Sequence, residues 1–267
     1  MLNVAVLGAA GRMGRALVEA VVSDPEMRLS GALEVEDSPA LGQDAGLLAG
    51  VGQQDVPVSA DLDTVFAASD AAIDFTAPAA TLQHAKAAVN ANCALVIGTT
   101  GFSDAQRQAL TELGTRGKLV IAPNMSIGVN LLFFLCDHVA KTLGDAYDIE
   151  VVEMHHRHKK DAPSGTAARM AEILAQARGL DPKTALQHGR EGAVGARPQD
   201  EIGVHALRGG DVVGDHTVTF AADGERVELT HKASSRSTFA GGAVRAVKFA
   251  VQSAPGVYDM QDVLGLR

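Results

Sequence analysis

The stretch Val4-Ala5-Val6-Leu7-Gly8-Ala9-Ala10-Gly11-Arg12-Met13-Gly14 decides the fold of this chain. Its four leading apolar residues predict a buried strand, and the glycines after them predict a tight turn into a helix. Glycines let the backbone approach a pyrophosphate, and the helix N-terminus supplies N–H donors and a positive potential. Glu34 follows Gly14 by 20 residues, where a carboxylate can accept hydrogen bonds from a ribose diol. These features together predict a dinucleotide-binding domain.

The first half of the chain alternates short apolar runs with helical patterns. The predicted strands are 4–7, 29–33, 71–75, 95–97 and 119–121. The predicted helices between them are 13–22, 79–90 and 104–116. This alternation indicates the α/β class, with a Rossmann-like, doubly wound parallel sheet.

Longer strands follow after about residue 126, at 148–156, 202–207, 212–220 and 226–233. The turns Gly209-Gly210 and Asp223-Gly224 predict that the last three of these strands form antiparallel hairpins. We therefore expect a second, α+β domain with a mixed or antiparallel sheet. An amphipathic helix over 239–254 is expected to pack back on the first domain.

The predicted domains are a dinucleotide-binding domain, 1–126, completed by 237–267, and a substrate-binding and oligomerisation domain, 127–236. Residues 98–100 follow a strand at the same sheet edge as the glycine turn. They line the nicotinamide end of the cleft in one interpretation and form a simple strand-to-helix turn in the other.

Composition and charge narrow the function classes. The 267 residues carry 23 basic and 32 acidic side chains, a net charge of −9, which disfavours nucleic acid as a partner. Cys93 and Cys136 lack metal-type spacing and lie in apolar runs, which predicts buried thiols in a reducing compartment, by default the cytoplasm. No targeting segment is apparent. The apolar helix 127–143 contains Asp137, His138 and Lys141, so we expect no membrane partner.

A second motif, Glu153-Met154-His155-His156-Arg157-His158-Lys159-Lys160-Asp161-Ala162-Pro163-Ser164-Gly165-Thr166, places imidazoles and ammoniums ahead of a helix start. Such a helix start can anchor a carboxylate, and an imidazole suits proton transfer near neutral pH. The residues alone do not rank His155 above His156 or His158. Strand alternation puts His156 and His158 on one face and His155 on the other.

These motifs together resemble the dihydrodipicolinate reductase family, also called 4-hydroxy-tetrahydrodipicolinate reductases, over essentially the whole chain. The most specific part is the join of His-His-x-x-Lys to Asp-Ala-Pro-Ser-Gly-Thr behind a nucleotide-binding domain. The segments that carry the resemblance are 6–14, 73–76, 97–102, 122–126, 153–166 and 231–236.

The resemblance implies NAD(P)H-dependent reduction of 4-hydroxy-tetrahydrodipicolinate, a small dicarboxylate, in lysine and diaminopimelate biosynthesis, by a protein that is typically a homotetramer. It implies that His155 donates or accepts a proton and that Lys159 donates a second one. It also implies that His156, Gly165 and Thr166 hold the substrate. The implied cofactor contacts are Gly8, Ala9, Ala10, Gly11, Arg12, Met13, Glu34, Gly98, Thr99, Thr100, Ala122, Pro123, Asn124 and Met125.

The charges near Glu34 predict that NADH is preferred and NADPH tolerated. A 2′-phosphate would meet the Glu34 carboxylate, and Val35 and Ala77 stand where some relatives carry an arginine. Arg12 and Arg15 are the remaining basic partners that a phosphate could meet.

Three other interpretations stay open at this point. One is a nicotinamide-dependent dehydrogenase acting on another amino or keto acid. Another is a non-catalytic NADH-binding redox sensor. The third is a zinc site built from His155, His156 and His158, against which the remote cysteines and the adjacent lysine argue, so we expect no metal.

Overall fold

The computed structural model describes residues 1–235 and 237–267, so Arg236, the last residue of the motif 231–236, lies outside the described residues. The chain divides into two compact units. Unit 1 comprises Met1–Ile127 and Ser237–Arg267, and unit 2 comprises Gly128–Arg236.

The strands follow one another along the chain as β1 (Leu2–Leu7), β2 (Met27–Leu33), β3 (Val58–Ser59), β4 (Ala71–Asp74), β5 (Ala94–Ile97), β6 (Lys118–Ile121), β7 (Asp148–His155), β8 (Leu186–His188), β9 (Ile202–Arg208), β10 (Gly214–Ala222), β11 (Glu225–Ala233) and β12 (Gly256–Tyr258). The helices are α1 (Arg12–Ser23), α2 (Ala45–Ala49), α3 (Leu62–Ala67), α4 (Pro78–Asn90), α5 (Asp104–Gly114), α6 (Ile127–Leu143), α7 (Gly165–Ala177), α8 (Pro182–Ala185), α9 (Ser237–Gln252) and α10 (Met260–Leu264). A short 3₁₀ turn, Gly144–Ala146, follows α6.

The sheet of unit 1 has seven strands in the order β12-β6-β5-β4-β1-β2-β3. All of its strand pairs are parallel. The strand order reverses direction between β1 and β4, and in open α/β sheets a ligand binds outside the carboxyl ends of the strands at such a point. The predicted Rossmann-like class is confirmed. Strands β3 and β12 were not predicted because two or three residues carry no periodicity.

Helix α9 is built into the core of unit 1. Val244 and Val247 are buried there with Val18 of α1, and Phe249 is partly buried. A Cβ at Gly242 would collide with the carbonyl oxygen of Met125. The helix therefore lies against the segment after β6 at a distance that only glycine permits at this position.

The sheet of unit 2 has five strands in the order β11-β10-β7-β9-β8, and β7 pairs in parallel with β9 and antiparallel with β10. The predicted mixed sheet and the hairpin at Asp223-Gly224 are confirmed. The hairpin predicted at Gly209-Gly210 is wrong, because β7 lies between β9 and β10. The segment from β9 to β10 crosses the end of β7, where the His156 N–H donates to Val212 O at 2.7 Å. A glycine pair predicts a turn but does not specify which strand lies beside the next.

Helix α6 and the turn after it, Ile127–Ala146, are long and apolar enough to cross a membrane, with a mean hydropathy of 1.2. The charged residues within this segment argued against a membrane span, but by length and composition the segment does meet the criterion for one. In the structure one third of the segment is buried. Val129, Phe133 and Cys136 of α6 belong to the core of unit 2.

Candidate active site

The turn between β1 and α1 has the geometry that its glycines predict. Gly8 has a φ of +70°, and a Cβ at Gly14 would collide with the carbonyl oxygen of Gly8. Gly11 is the residue before the first turn of α1, and no side chain caps the N-terminus of this helix. The exposed Arg12 and the half-buried Met13 then begin the helix. This turn keeps its backbone close to the helix start, as a pyrophosphate site requires.

Glu34, directly after β2, lies beside this turn. Its Oε1 accepts a hydrogen bond from the Ala10 N–H at 2.9 Å. A cavity of about 300 Å³ opens there, lined in part by Gly8, Glu34, Val35 and Glu36. The carboxylate is thus placed where a ribose would lie next to the glycine turn. Together the turn and the carboxylate fit a pyridine dinucleotide.

The segment after β5 lies at the same carboxyl edge of the sheet. Gly98 faces the ring of Phe75, and a Cβ there would collide with that ring. The hydroxyl of Thr99 is buried and donates to Asp74 at 3.4 Å, while Thr100 is exposed. The Thr99 hydroxyl is thus engaged inside unit 1, and this segment offers a ligand its backbone and the side chain of Thr100.

The segment after β6 presents few exposed side chains. Ala122 and Met125 are buried, and Pro123 is exposed. Asn124 is half-buried, and its Oδ1 accepts from the Ser126 N–H at 2.9 Å. Ala122 and Met125 pack in the core of unit 1, so only their backbone could face a ligand.

Sequence reasoning missed a buried carboxylate–imidazole pair in unit 1. Oδ2 of Asp74 lies 2.8 Å from Nδ1 of His84, and its Oδ1 accepts from the N–H and the hydroxyl of Thr76 at 2.9 and 2.6 Å. Burial raises the pKa of the Asp74 carboxyl, but the hydrogen bond and charge of His84 and the bonds from Thr76 lower it by more, so this pKa lies below its usual value. Asp74 ends a strand, and the cavity lies beside it. A carboxylate at the end of a predicted strand is the signal in the sequence that could have identified this residue.

In unit 2, His155 ends β7 and is buried. Its Nδ1 lies 2.6 Å from Oε2 of Glu153, which has the same inward orientation because the two residues alternate by two along the strand. Arg208, at the end of β9, donates to both Glu153 oxygens at 2.8 and 2.9 Å. The sequence placed Glu153 in the motif without a role, and nothing in it identified Arg208.

Glu153 also contacts the start of α7, since its Oε1 accepts from the Ser164 N–H at 2.9 Å. Burial raises the pKa of the Glu153 carboxyl, but hydrogen bonds from Arg208, His155 and Ser164 lower it below its usual value. The Ser164 hydroxyl caps the helix by accepting from the Ala167 N–H at 3.2 Å. Gly165 is exposed at this helix start and Thr166 is half-buried. The structure thus brings the predicted anion anchor close to the predicted proton donor.

His216, on β10, is a further histidine that the sequence did not single out. Its Nε2 lies 3.1 Å from the Ser164 hydroxyl, and its ring packs edge-on against His155 at 5.2 Å between centroids. Burial, followed by the charge of His155, lowers the pKa of His216 to about 4. The ring is therefore neutral near pH 7.

The remaining predicted side chains follow the end of β7. His156 is half-buried, and its ring lies 6.2 Å from that of the exposed His158. Nζ of Lys159 lies 2.9 Å from Oδ2 of Asp161. In residues 1–235 and 237–267 no group of three or more His, Cys, Asp or Glu residues is arranged to hold a metal ion.

Comparison with known proteins identifies the family. Residues 2–125 match the family model for the N-terminus of dihydrodipicolinate reductase, and residues 128–264 match the model for its C-terminus. The chain belongs to the dihydrodipicolinate reductase family. The predicted resemblance is confirmed, and the protein is an NAD(P)H-dependent oxidoreductase of this family rather than a non-catalytic sensor or an unrelated dehydrogenase.

Curated dihydrodipicolinate reductases match the chain from end to end. The 4-hydroxy-tetrahydrodipicolinate reductase of Syntrophotalea carbinolica is 52% identical over 267 residues, with 100% of both chains covered. That of Laribacter hongkongensis is 54% identical, with 100% of this chain and 99% of the relative covered.

Solved structures give the same family and fold. A dipicolinate-bound dihydrodipicolinate reductase from Paenisporosarcina sp. TG-14 has a TM-score of 0.78 and 29% identity, with 98% of each chain covered. An amine dehydrogenase from Mycobacterium smegmatis has a TM-score of 0.60 at 13% identity, covering 96% of this chain and 94% of its own, and shares the fold alone.

Proposed function

We propose that this protein reduces 4-hydroxy-tetrahydrodipicolinate to tetrahydrodipicolinate in lysine and diaminopimelate biosynthesis. The observation that carries the proposal is the buried His155–Glu153 pair, joined through the Ser164 N–H to the start of α7, in a chain of this family. It combines a group that transfers protons with a helix start that binds carboxylates.

Unit 1 binds the reduced nicotinamide nucleotide. When bound, the nucleotide supplies a hydride. Its pyrophosphate lies against the turn from Gly8 to Met13, where the N–H groups of Arg12 and Met13 at the start of α1 are the donors, and its ribose donates to Glu34. The backbone of 98–100 and 122–125 borders the same carboxyl edge of the sheet.

Unit 2 binds the dicarboxylate. The start of α7 at Gly165 and Thr166 presents its positive end to one carboxylate, and His156 binds the other as a hydrogen-bond donor. Two anchors fix the plane of a cyclic substrate, which orients its reacting double bond.

His155 and Lys159 move the protons. Loss of water removes the hydroxyl, to which the Lys159 ammonium donates a proton, and a proton from a ring carbon, which is released to solvent. The conjugated double bond that results gains a hydride at one atom and a proton from His155 at the carbon or nitrogen left electron-rich. One hydride and one net proton are taken up, and the products are water, the oxidised cofactor and tetrahydrodipicolinate.

NADH is the preferred cofactor and NADPH is tolerated. Glu34 and Glu36 both line the cavity beside the glycine turn, and none of its described lining residues is an arginine or lysine. Arg15 donates through Nε to Ala10 O at 3.0 Å, so its position is already set by the loop. A 2′-phosphate would meet two carboxylates with little compensating charge.

The protein acts as a cytoplasmic homotetramer. Support for assembly comes from β11 at the edge of the unit 2 sheet, where every residue is exposed or half-buried. Support for a reducing compartment comes from two buried thiols, Cys93 and Cys136, whose pKa values burial raises to about 12. Light scattering of the purified protein measures the tetramer directly.

The direct test follows NADH oxidation with substrate made in situ from pyruvate and aspartate semialdehyde by the preceding synthase. We expect turnover that depends on both precursors. Pyridine-2,6-dicarboxylate, a planar dicarboxylate, should inhibit competitively and raise the melting temperature in the presence of NADH. Absence of NADH oxidation with this substrate, at saturating enzyme, would overturn the proposed function.

A further inference from the structure

The hydrogen bond to Glu153 fixes which nitrogen of His155 carries a proton in the neutral ring. An ionised carboxylate only accepts hydrogen bonds, and Nδ1 of His155 lies 2.6 Å from Oε2 of Glu153. The proton of the neutral imidazole is therefore on Nδ1. This leaves Nε2 as the atom that takes up and releases a proton.

The structure keeps space beside that Nε2. A Cβ at Gly214 would lie 3.0 Å from Nε2 of His155, which is closer than ordinary van der Waals contact. Because the first residue of β10 is a glycine, it has no side chain that would cover Nε2 of His155.

Arg208 keeps Glu153 ionised and in place. Its two terminal nitrogens each bond one carboxylate oxygen, and Nη2 also donates to Asp161 O at 2.7 Å. A two-pronged guanidinium–carboxylate pair fixes the plane of the carboxylate, as a single ammonium would not. Since Glu153 has no exposed surface, its charge depends on these partners.

The same carboxylate holds the substrate anchor. Because Oε1 of Glu153 accepts from the Ser164 N–H, the first residue before α7 is tied to the strand that carries His155. One side chain thus sets both the direction of the imidazole and the position of the helix start.

We propose that Glu153, braced by Arg208, is the positioning residue of the reductase site: it holds His155 with its proton-exchanging Nε2 available and fixes the start of α7 relative to it. This inference rests on the proposed function for its catalytic consequence. It assigns no contact between Glu153 and substrate.

Glu150 offers a matched control on the same strand. It also binds arginine and histidine side chains, with Arg190 Nη2 at 2.7 Å and His205 Nε2 at 2.7 Å, but it has no contact with His155. If Glu153 matters only because it neutralises an arginine and stabilises the sheet, Glu150→Gln and Glu153→Gln should behave alike.

The charged and titratable groups around His155 come from several elements. Glu153 lies on its own strand, Arg208 on β9 and His216 on β10, and Lys159 lies in the loop that follows β7. His231 of β11 is the cross-strand partner of His216. Of these groups, the Glu153 carboxylate bonds the ring of His155 directly.

The first experiment measures the kinetics of Glu153→Gln and Glu150→Gln. For Glu153→Gln we expect turnover to fall by about 10², because His155 loses the carboxylate that orients its ring. The affinity for pyridine-2,6-dicarboxylate should fall by up to about tenfold, because the helix start loses its tie. Glu150→Gln should stay within about threefold of the unmodified protein. Equal behaviour of the two variants would overturn the inference.

The second experiment needs no substrate, and its measurement is made on the unmodified protein. Nitrogen NMR of histidine-labelled, unmodified protein distinguishes a proton on Nδ1 from one on Nε2, with the His155 signals assigned from their absence in His155→Gln. We expect the neutral ring to carry its proton on Nδ1. A neutral His155 protonated on Nε2 would overturn the inference, whatever happens to Glu153→Gln.

Arg208→Lys tests the brace with the charge retained. It should lower turnover by about tenfold, because an ammonium cannot form the two-pronged contact. The NMR result also separates this inference from the proposed function. If His155 carries its proton on Nδ1 but the protein does not reduce the substrate, the proposed function is wrong and the positioning by Glu153 still holds. If the protein reduces the substrate but His155 carries its proton on Nε2, the function holds and the positioning by Glu153 is wrong.

Discussion

Both units of this protein bury a carboxylate against an imidazole, and the two pairs differ in what completes them. Asp74 and His84 form the pair in unit 1, and Glu153 and His155 form the pair in unit 2. The two histidines are almost equally buried, with 8% and 9% of their surface exposed. Burial and pairing therefore do not distinguish a reactive histidine from a structural one.

The surroundings make the distinction. In unit 1 the remaining contacts of the Asp74 carboxylate are the N–H and hydroxyl of Thr76, after β4, and the hydroxyl of Thr99, after β5. These contacts fix loops beside the cofactor cavity. In unit 2 the remaining Glu153 contacts are Arg208 and the start of α7, and the far nitrogen of His155 lies beside a glycine. A carboxylate–imidazole pair thus joins turns in unit 1, and in unit 2 we propose that such a pair orients a proton donor.

The largest expected difference between the pairs is in turnover. His155→Ala should lower kcat by a factor on the order of 10² to 10⁴, because a general acid is lost, with a modest change in substrate affinity. His84→Ala should lower kcat by less than about tenfold and mainly raise KM for NADH, since His84 lines the cofactor cavity. Steady-state kinetics of both variants measures this difference. Similar losses of kcat in the two variants would contradict the prediction.

Lys159→Ala tests whether the chemistry of unit 2 extends beyond the histidine. It should lower kcat/KM by about 10², through both kcat and KM, because the ammonium donates a proton and lies near the substrate anchor. The exposed neighbour Lys160 supplies the control, and Lys160→Ala should change kcat/KM by less than about threefold. A Lys159→Ala enzyme with normal kcat would exclude the lysine from proton transfer.

Asp74→Asn tests the structural role of the pair in unit 1. The amide cannot accept from His84 and Thr76 with the strength of a carboxylate, so the free energy of unfolding should fall by about 2 to 3 kcal/mol. Urea denaturation measures this loss, with the fully exposed Asp104→Asn as the control. Unchanged stability of Asp74→Asn would mean that the pair in unit 1 does not hold its turns.

The pKa of His216 predicts acid sensitivity in unit 2. Its folded-state value of about 4 lies below the ordinary 6.5, so the unfolded chain binds the extra proton between these values. Stability from His216 is therefore complete above pH 6.5 and is lost as the pH falls toward 4, by up to about 3 kcal/mol. Denaturation of the unmodified protein and His216→Gln at several pH values should show a shallower dependence in the variant. The same dependence of stability on pH in both proteins would contradict this prediction.

The smallest expected effect concerns the cofactor of unit 1. Val35 is exposed beside Glu34, so Val35→Arg can pair with a 2′-phosphate and should move the NADPH-to-NADH ratio of kcat/KM upward by about tenfold. Val35→Ala controls for the loss of the valine. The unmodified protein should prefer NADH when both cofactors are compared at one ionic strength, and a clear preference for NADPH would contradict this interpretation of Glu34 and Val35.

The sequence by itself determined the features that depend on neighbours along the chain. The glycine turn and the helix start at Ser164 each lie within one strand–turn–helix segment, and Glu34 follows the next strand of the same βαβ unit, so spacing dictates their geometry. The motif 153–166 brought His155 and Lys159 together for the same reason. The strand-and-helix alternation was enough for the fold class, because it reflects which face of each element is buried.

Only the tertiary structure decided the contacts that depend on strand order. Arg208 reaches Glu153 across 55 residues, and His216 reaches Ser164 across 52. Both contacts exist because β7 lies between β9 and β10, which contradicts the hairpin that Gly209-Gly210 predicted. A turn signal is local, whereas the neighbour of a strand is chosen by the packing of the whole sheet on its core, so no spacing in the sequence could reveal which charges would meet.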